Sequence, residues 1–136
     1  MRSCYRVGDK ASLTRSFTQD DVELFSLISR DYNPIHINEE YALNTRFKKR
    51  IVQGLLTTTL ISAIIGNILP GNNSIYLSQT IEFVCPVFLN DTLTAEVEIL
   101  DIRKSVYTLK TIVKNQDNNI VLNGQAKVMY EGGVDC

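Results

Sequence analysis

The feature that most restricts the fold of this sequence is a long uncharged segment in the middle of the chain. No charged residue occurs from Ile51 to Ile81. Within it, residues 54–68 are apolar around most of a helical circumference, through Leu55, Leu56, Leu60, Ile61, Ala63, Ile64, Ile65 and Ile68. A helix that is apolar on every side is buried rather than amphipathic. We therefore predict a central buried helix, which the Leu69-Pro70-Gly71 sequence ends.

Two further helices are predicted ahead of this segment. Thr18 is a favoured N-cap residue, and Asp21 stands where a capping box requires an acceptor. Apolar residues then recur at helical spacing, so we predict a helix over about 18–29. A second, short helix is predicted over 39–44, with Asn38 as its cap.

Beyond the central helix the apolar residues recur at every second position. This pattern predicts strands over 76–84, 92–102, 106–114 and 120–130. Consecutive strands with short polar connections pair antiparallel, and helices segregated from strands give an α+β fold. The element order is that of the hotdog fold, an antiparallel sheet wrapped around a central buried helix. We predict a single domain of this kind over residues 1–136.

The length and charge of the chain exclude several classes of protein. The 136 residues, of 15.4 kDa, allow one substantial core. Lys and Arg total 14 against 15 Asp and Glu, so the net charge is −1 and the basic surplus of a nucleic-acid-binding protein is absent. No run of 18 apolar residues exists, and residues 1–10 carry no signal-peptide core. We expect neither a nucleic-acid partner nor a membrane partner.

The cysteines indicate the compartment. Three Cys are widely separated, at positions 4, 85 and 136, and the chain has one His. These residues offer neither zinc-ligand spacing nor an evident disulfide framework, which indicates a reducing compartment. We expect Cys85 to be buried and inert. The expected location is the cytoplasm, with the mitochondrial matrix as the alternative if a presequence is missing.

Asp31 and His36 are the first candidate site residues. They are five positions apart, and Pro34 between them excludes a regular helix, so we expect a tight Asn-Pro turn. Such a turn brings a carboxylate and an imidazole to one small volume, where they form a general acid–base pair around a water. The residues alone leave a structural alternative, in which Asp31 caps a turn and His36 is a satisfied polar residue.

Gly54 and Ser62 are further candidates because both lie on the predicted central helix. The backbone N–H of Gly54 is an unpaired donor at the helix start, and the missing Cβ lets a carbonyl oxygen approach. Such a donor stabilises a developing enolate oxygen. Ser62 follows eight residues later, nearly on the same face. In the alternative reading Gly54 permits a tight turn, while Ser62 and the neighbouring threonines bond their own helix backbone.

Several of these residues together resemble a known family, the MaoC-like dehydratases. This family includes the (R)-specific enoyl-CoA hydratases and the type 2 mitochondrial 3-hydroxyacyl-thioester dehydratases. The segments that carry the resemblance are Phe17-Thr18-Gln19-Asp20-Asp21-Val22, Asp31-Tyr32-Asn33-Pro34-Ile35-His36, Tyr41-Ala42 with Arg46-Phe47, and Ile51-Val52-Gln53-Gly54. The resemblance runs from about Val7 to Tyr130, nearly the whole chain.

The resemblance implies a hotdog homodimer that interconverts trans-2-enoyl and (3R)-hydroxyacyl thioesters. Asp31 and His36 are implied to activate the water and to deliver a proton to the α carbon. Gly54 is implied to hold the thioester carbonyl through its N–H, and Ser62, Asn33 and Gln53 to contact the substrate. The implied partner is an acyl-CoA or acyl-carrier-protein thioester. No metal or redox cofactor is implied.

The sequence departs from the family pattern at two positions. Gln53 stands where the family usually has His before the glycine, so this side chain offers hydrogen bonds but does not titrate. Arg30 stands where a small residue commonly precedes the aspartate. Lys48, Lys49 and Arg50 form a basic run, which we interpret as a solvated loop before the central helix, with carrier-phosphate contact as a second interpretation.

Two other functions fit the same fold. A hotdog thioesterase typically has an acidic residue on or near the central helix, and residues 54–69 contain none. A non-catalytic module that binds acyl-CoA is the other alternative, and the intact Asp31–His36 pair argues against it.

Overall fold

A five-stranded antiparallel sheet forms one layer of the computed structural model, which describes residues 5–131. The strands are β1 (Lys10–Arg15), β2 (Ile75–Phe83), β3 (Leu93–Arg103), β4 (Val106–Lys114) and β5 (Ile120–Met129). Their spatial order is β1-β3-β4-β5-β2, so β1 and β2 form the two edges of the sheet. Each neighbouring pair is antiparallel, as the short connections predicted.

The helices come between β1 and β2 in the chain. They are α1 (Gln19–Ser29), α2 (Pro34–Ile37), α3 (Glu39–Leu43), α4 (Gly54–Thr57) and α5 (Thr59–Asn67). The core lies between α5 and the sheet, where α5 contacts β1 and β3. These elements confirm the predicted α+β hotdog architecture.

The local helix signals in the sequence are confirmed. Thr18 caps α1, its hydroxyl accepting from the Asp21 N–H at 3.3 Å while the Asp21 carboxylate accepts from the Thr18 N–H at 2.9 Å. Asn38 caps α3 by accepting from the Tyr41 N–H at 2.9 Å. Both caps are interactions between residues three apart, so the sequence alone predicts them.

The capping box makes the stability of α1 depend on pH. The backbone N–H of Thr18, its hydroxyl and the Arg15 guanidinium hold the pKa of the Asp21 carboxyl below its ordinary value of 3.8. A lowered carboxyl pKa stabilises the fold above pH 3.8, and this contribution is lost as the pH falls through the lower folded-state pKa.

We expect Asp21→Asn to lower the free energy of unfolding at pH 7 by about 0.5 kcal/mol, because the charged acceptor of the Thr18 N–H and of the Arg15 guanidinium is lost. Urea unfolding at pH 7 and at about pH 3 measures the difference in free energy of unfolding between variant and wild type. This difference should be smaller at the lower pH. Asp20→Asn, in the same helical turn without the Thr18 partners, is the control. An Asp21→Asn effect that is the same at both pH values would contradict the assignment.

The segment expected as an Asn-Pro turn contains a short helix. Asn33 is its N-cap, with Oδ1 accepting from the Ile35 N–H at 3.4 Å, and Pro34 is its first residue. The prediction that Pro34 excludes a regular helix across residues 31–36 was correct for the residues before Pro34 and wrong for those after it. Proline lacks an N–H, which the first residue of a helix does not need, so α2 begins there.

The predicted central helix is divided and is not buried on every side. Thr58, between α4 and α5, keeps helical backbone angles (φ −66°, ψ −16°). The hydroxyls of Thr57, Thr58 and Thr59 all bond backbone carbonyls three or four residues earlier, as the alternative reading of these threonines predicted, and such bonds bend helices. One face of the α4–α5 segment is exposed; it includes Leu55, which is 60% exposed, and Ser62.

The strand pattern was predicted closely except at β1. In β3, residues 93, 95, 97 and 99 are fully buried and alternate with more accessible side chains. The six-residue β1 was not predicted, because its sequence has weak alternation and its pairing with β3 joins residues far apart in the chain. β1 pairs with β3 and forms the edge of the sheet on that side.

Candidate active site

Four of the six predicted site residues line one cavity of about 680 Å³ between α1, α2, the start of α4 and the end of β2. These four are Asp31, His36, Gln53 and Gly54. The remaining walls are largely apolar; they include Phe25, Phe47, Ile51, Val52, Leu55, Phe83, Val84, Pro86, Val87 and Val121, with Arg46 among the polar lining residues. The cavity thus joins polar groups to an apolar chamber, as a site for an apolar chain with a reactive polar end requires.

The end of α1 positions Asp31. Arg30 is the C-cap of α1 in the left-handed conformation (φ 65°), and its N–H donates to the Ser26 carbonyl at 2.8 Å. This left-handed conformation favours glycine or asparagine, so it costs backbone strain for Arg30. After the turn, Asp31 Oδ1 accepts from the Asn33 N–H at 3.1 Å. The carboxylate is exposed and lines the cavity.

His36 is buried and held by the segment that precedes α4. Its exposed fraction is 8%, and its ring Nδ1 lies 2.8 Å from the Ile51 carbonyl oxygen. Because a carbonyl oxygen only accepts hydrogen bonds, Nδ1 carries the proton. In the neutral ring Nε2 is then the nitrogen with the free lone pair. No hydrogen bond or ion pair joins Asp31 to His36 within residues 5–131, and both residues line the same cavity.

Gly54 is the first residue of α4, and no hydrogen bond from its N–H is found in the described part of the chain. The ring of Phe83 packs directly on it: a Cβ at position 54 would lie 2.8 Å from Phe83 Cε1 and 2.9 Å from Cζ. Any side chain at position 54 therefore displaces Phe83. The glycine combines a free backbone donor with a close aromatic wall.

Gln53 lines the cavity, but its side chain is buried and bonded to α1. Its exposed fraction is 2%, and its Nε2 donates to the Val22 carbonyl at 3.0 Å and to the Ser26 hydroxyl at 2.9 Å. Both partners lie on α1, so Gln53 ties the start of α4 to α1. Its Oε1 is buried and has no hydrogen-bond partner within residues 5–131.

The other two predicted site residues lie elsewhere. Asn33 is exposed and caps α2, and Ser62 is exposed on α5; neither lines the cavity in this single chain. Their predicted contacts with substrate stay predictions.

Several site residues were not predicted from the sequence. Phe83 lines the cavity, and no local motif distinguishes it in the sequence. Arg46 also lines the cavity; it lies in the Arg46-Phe47 segment of the family resemblance, from which no role at the site was predicted for it. Cys85, expected to be buried, is only half-buried and also lines the cavity. Cys4 and Cys136 lie outside the described residues.

The interpretation of the basic run as a solvated loop is correct for Lys48 and Lys49, which are exposed, and wrong for Arg50, which is buried. A run of charges usually marks a solvated segment, so the sequence gives no signal that its third residue is turned inward.

Residues 5–131 contain neither a cluster of potential metal ligands nor a helix that could span a membrane. No group of three or more His, Cys, Asp or Glu side chains in this range is placed to hold a metal ion. None of the helices in the same range has the length and apolar character needed to cross a membrane.

Comparison with known proteins decides the family. The family model described as "MaoC like domain" matches residues 7–121. The chain belongs to the MaoC-like family. This match confirms the resemblance seen in the four sequence segments, and the site lies inside the matched range.

Curated relatives and a solved structure show the class of enzyme. The chain is 40% identical over 124 residues to an (R)-specific enoyl-CoA hydratase of Aeromonas caviae, covering 90% of this chain and 92% of the relative. It is 36% identical over 128 residues to a mitochondrial 3-hydroxyacyl-[acyl-carrier-protein] dehydratase, FERN, of Solanum lycopersicum, covering 91% and 76%. The solved (R)-hydratase of A. caviae involved in PHA biosynthesis superposes with a TM-score of 0.92 at 38% identity, covering 94% and 98%. This MaoC-like chain is therefore an enzyme of the hydratase–dehydratase class, a hydro-lyase.

Proposed function

We propose that this MaoC-like protein interconverts trans-2-enoyl thioesters and (3R)-hydroxyacyl thioesters by acid–base catalysis at Asp31 and His36. The observation that carries the proposal is the shared cavity, which Asp31, His36 and the free N–H of Gly54 all line. The names of the A. caviae and tomato relatives supply the thioester substrate class. The apolar chamber beside the polar groups fits an acyl chain.

The proposed hydration uses one proton-transfer pair and one oxyanion donor. Asp31 and His36 hold a water, and the pair accepts one of its protons while its oxygen bonds the β carbon of the enoyl group. The negative charge moves to the thioester oxygen, where the Gly54 N–H stabilises the enolate. The pair then returns one proton to the α carbon, so that the elements of water have been added across the double bond. The reverse sequence is the dehydration.

The tautomer of His36 supports its part in this reaction. Nδ1 donates to the Ile51 carbonyl, which leaves the Nε2 lone pair as the ring's basic site. A fixed tautomer presents the same nitrogen to the reactants in every turnover, and such orientation is the contribution that a backbone carbonyl makes to a catalytic histidine.

An activity assay of the purified protein, with enoyl thioesters of both carriers as substrates, tests the proposal. We expect loss of the enoyl chromophore of crotonyl-CoA in the presence of enzyme, and a comparison of enoyl-CoA with enoyl-carrier-protein thioesters of equal length identifies the carrier. Release of free thiol would indicate a thioesterase instead. Tight binding of acyl-CoA without turnover would indicate a non-catalytic binding module.

We also propose that the active form is a homodimer. The β2 strand is an edge of the sheet, and most of its side chains are exposed, with Leu77 at 48%. An unpaired edge strand rich in apolar residues is a template for pairing with another strand. The exposed face of α4–α5, with Leu55, is a second apolar surface. In the proposed dimer a second copy of the chain pairs with this one along β2, edge to edge, and so covers the exposed strand.

For this dimer we expect a native mass of twice 15.4 kDa by light scattering or sedimentation equilibrium. Leu77→Asp should weaken the dimer by roughly 30-fold or more, because a buried interface anchor is replaced by a charge. Leu24→Asp, an equally exposed apolar residue on α1, is the matched control and should leave the mass unchanged. A wild-type chain that is monomeric at micromolar concentration would overturn the proposal.

A further inference from the structure

Arg50 is a buried cation whose side chain contacts α2, the short helix that contains His36. Its exposed fraction is 6%, and its Nε donates to the backbone carbonyl of His36 at 2.7 Å. None of the salt bridges in residues 5–131 includes Arg50, and its Nη2 is buried without a hydrogen-bond partner in that range. A buried charge without a carboxylate partner costs free energy, so the side chain does not act as a stabilising ion pair.

The carbonyl that Arg50 contacts lies at the end of a helix. His36 is in the last turn of α2, where carbonyl groups have no partner within the helix. An arginine side chain near a helix C-terminus satisfies such a carbonyl. The hydrogen bond from Arg50 therefore fixes the backbone of His36, which lines the cavity.

Two more hydrogen bonds connect the same two segments. The Ile51 N–H donates to the Ile35 carbonyl at 3.2 Å, and the His36 Nδ1–H donates to the Ile51 carbonyl at 2.8 Å. Ile51 also forms a β-bridge with Phe88, and the Val52 N–H donates to the Val87 carbonyl at 2.7 Å. Residues 50–52 thus connect α2 to the chain that follows β2.

We propose that Arg50 is a positioning residue for His36. Its Nε holds the His36 carbonyl so that the ring Nδ1–H stays on the Ile51 carbonyl and Nε2 stays directed to the reactants. The inference rests on the proposed function for its kinetic consequence, but not for its structural one. Displacement of a catalytic base by about 1 Å lowers the reaction rate by up to roughly 100-fold, so the positioning of His36 contributes to kcat.

Three substitutions at position 50 separate the hydrogen bond from the charge. In Arg50→Gln the amide Nε2 takes the place of the arginine Nε, so the donor remains without the charge. In Arg50→Met a methyl group takes that place, so neither donor nor charge remains. Arg50→Lys keeps the charge but places a methylene where the donor was. Because an uncompensated buried charge is costly, we expect Arg50→Met to fold, which circular dichroism and urea unfolding verify.

The kinetic experiment measures kcat and KM for crotonyl-CoA. We expect Arg50→Met and Arg50→Lys to lower kcat by about tenfold or more with KM changed less than about threefold, and Arg50→Gln to recover most of kcat. Equal kcat values in the Met and Gln variants would overturn the proposal, as would full activity in the Lys variant.

A second measurement needs no turnover and uses the single His of the chain. In protein prepared without a histidine tag, the ¹⁵N–¹H spectrum of the imidazole reports His36 alone. We expect the Nδ1–H tautomer in the wild type and in Arg50→Gln, and a mixture of both tautomers in Arg50→Met. An unchanged tautomer in a folded Arg50→Met variant would overturn the positioning role. A wild type inactive on enoyl thioesters, with the tautomer shift present, would instead contradict the proposed function.

Discussion

Replacement of either member of the Asp31–His36 pair should reduce kcat for enoyl-thioester hydration by roughly 100- to 10,000-fold, the range that positioned acid–base groups contribute. Asp31→Asn removes the charge and keeps an oxygen that accepts from the Asn33 N–H at the 3.1 Å contact. His36→Asn removes the basic Nε2 and keeps an amide N–H in the place of Nδ1, which donates to the Ile51 carbonyl. Both variants therefore remove the chemistry while the local backbone contacts are retained.

Steady-state kinetics with crotonyl-CoA measure this effect, and unfolding curves verify that each variant is folded. Asp20→Asn is the matched control, because Asp20 is an exposed carboxylate on α1 that does not line the cavity. The double variant should be little slower than the slower single variant, since two residues that act on one water are not independent. Activity within tenfold of wild type in either single variant would contradict the assignment of the pair.

The second large effect is expected at Gly54. Gly54→Pro removes the backbone N–H, and proline is well tolerated as the first residue of a helix. The preceding residue suits it, because Gln53 has φ −57° and ψ 132°, an extended conformation that a following proline favours. Gly54→Ala keeps the N–H but adds the same Cβ, which meets the Phe83 ring at 2.8 Å. The Cβ contact with Phe83 is shared by both variants, whereas only proline lacks the N–H and carries its ring Cδ in that place.

We expect kcat of Gly54→Pro to be roughly 100- to 1,000-fold below that of Gly54→Ala, the usual cost of losing one oxyanion donor. Crotonyl-CoA hydration by both proteins gives this ratio directly. If the Pro and Ala variants have the same kcat, the Gly54 N–H does not hold the thioester oxygen, and the oxyanion part of the mechanism fails.

Features fixed by neighbours in the chain were predictable from the sequence. The Thr18–Asp21 capping box and the Asn38 cap depend on residues three apart, and the alternation in β3 reflects one buried and one accessible face. The Asp31 and His36 positions were recognised because a short motif carries both. These interactions require no knowledge of distant contacts.

Features that depend on distant contacts were not predictable. β1 is a strand because it pairs with β3, whose residues lie 78 to 88 positions further along the chain, from Arg15–Leu93 to Lys10–Glu98. Arg50 is buried because a carbonyl of α2 accepts from its side chain, although its neighbours in the basic run are exposed. The predicted substrate contact of Gln53 stays a prediction, but the two hydrogen bonds that its amide donates to α1 had no signal in the sequence. In each case the partner lies in another element, and the local sequence carries no signal for it.

The configuration of the product shows whether this chain catalyses (R)-specific hydration. Purified wild-type protein is incubated with crotonyl-CoA, and the 3-hydroxybutyryl-CoA formed is assigned with dehydrogenases that accept only the (3R) or only the (3S) form. We expect (3R) product from the wild type and a rate reduced at least 100-fold in His36→Asn, as the proposed mechanism requires. A (3S) product, or wild-type protein that leaves crotonyl-CoA unchanged under conditions where it is folded, would contradict it.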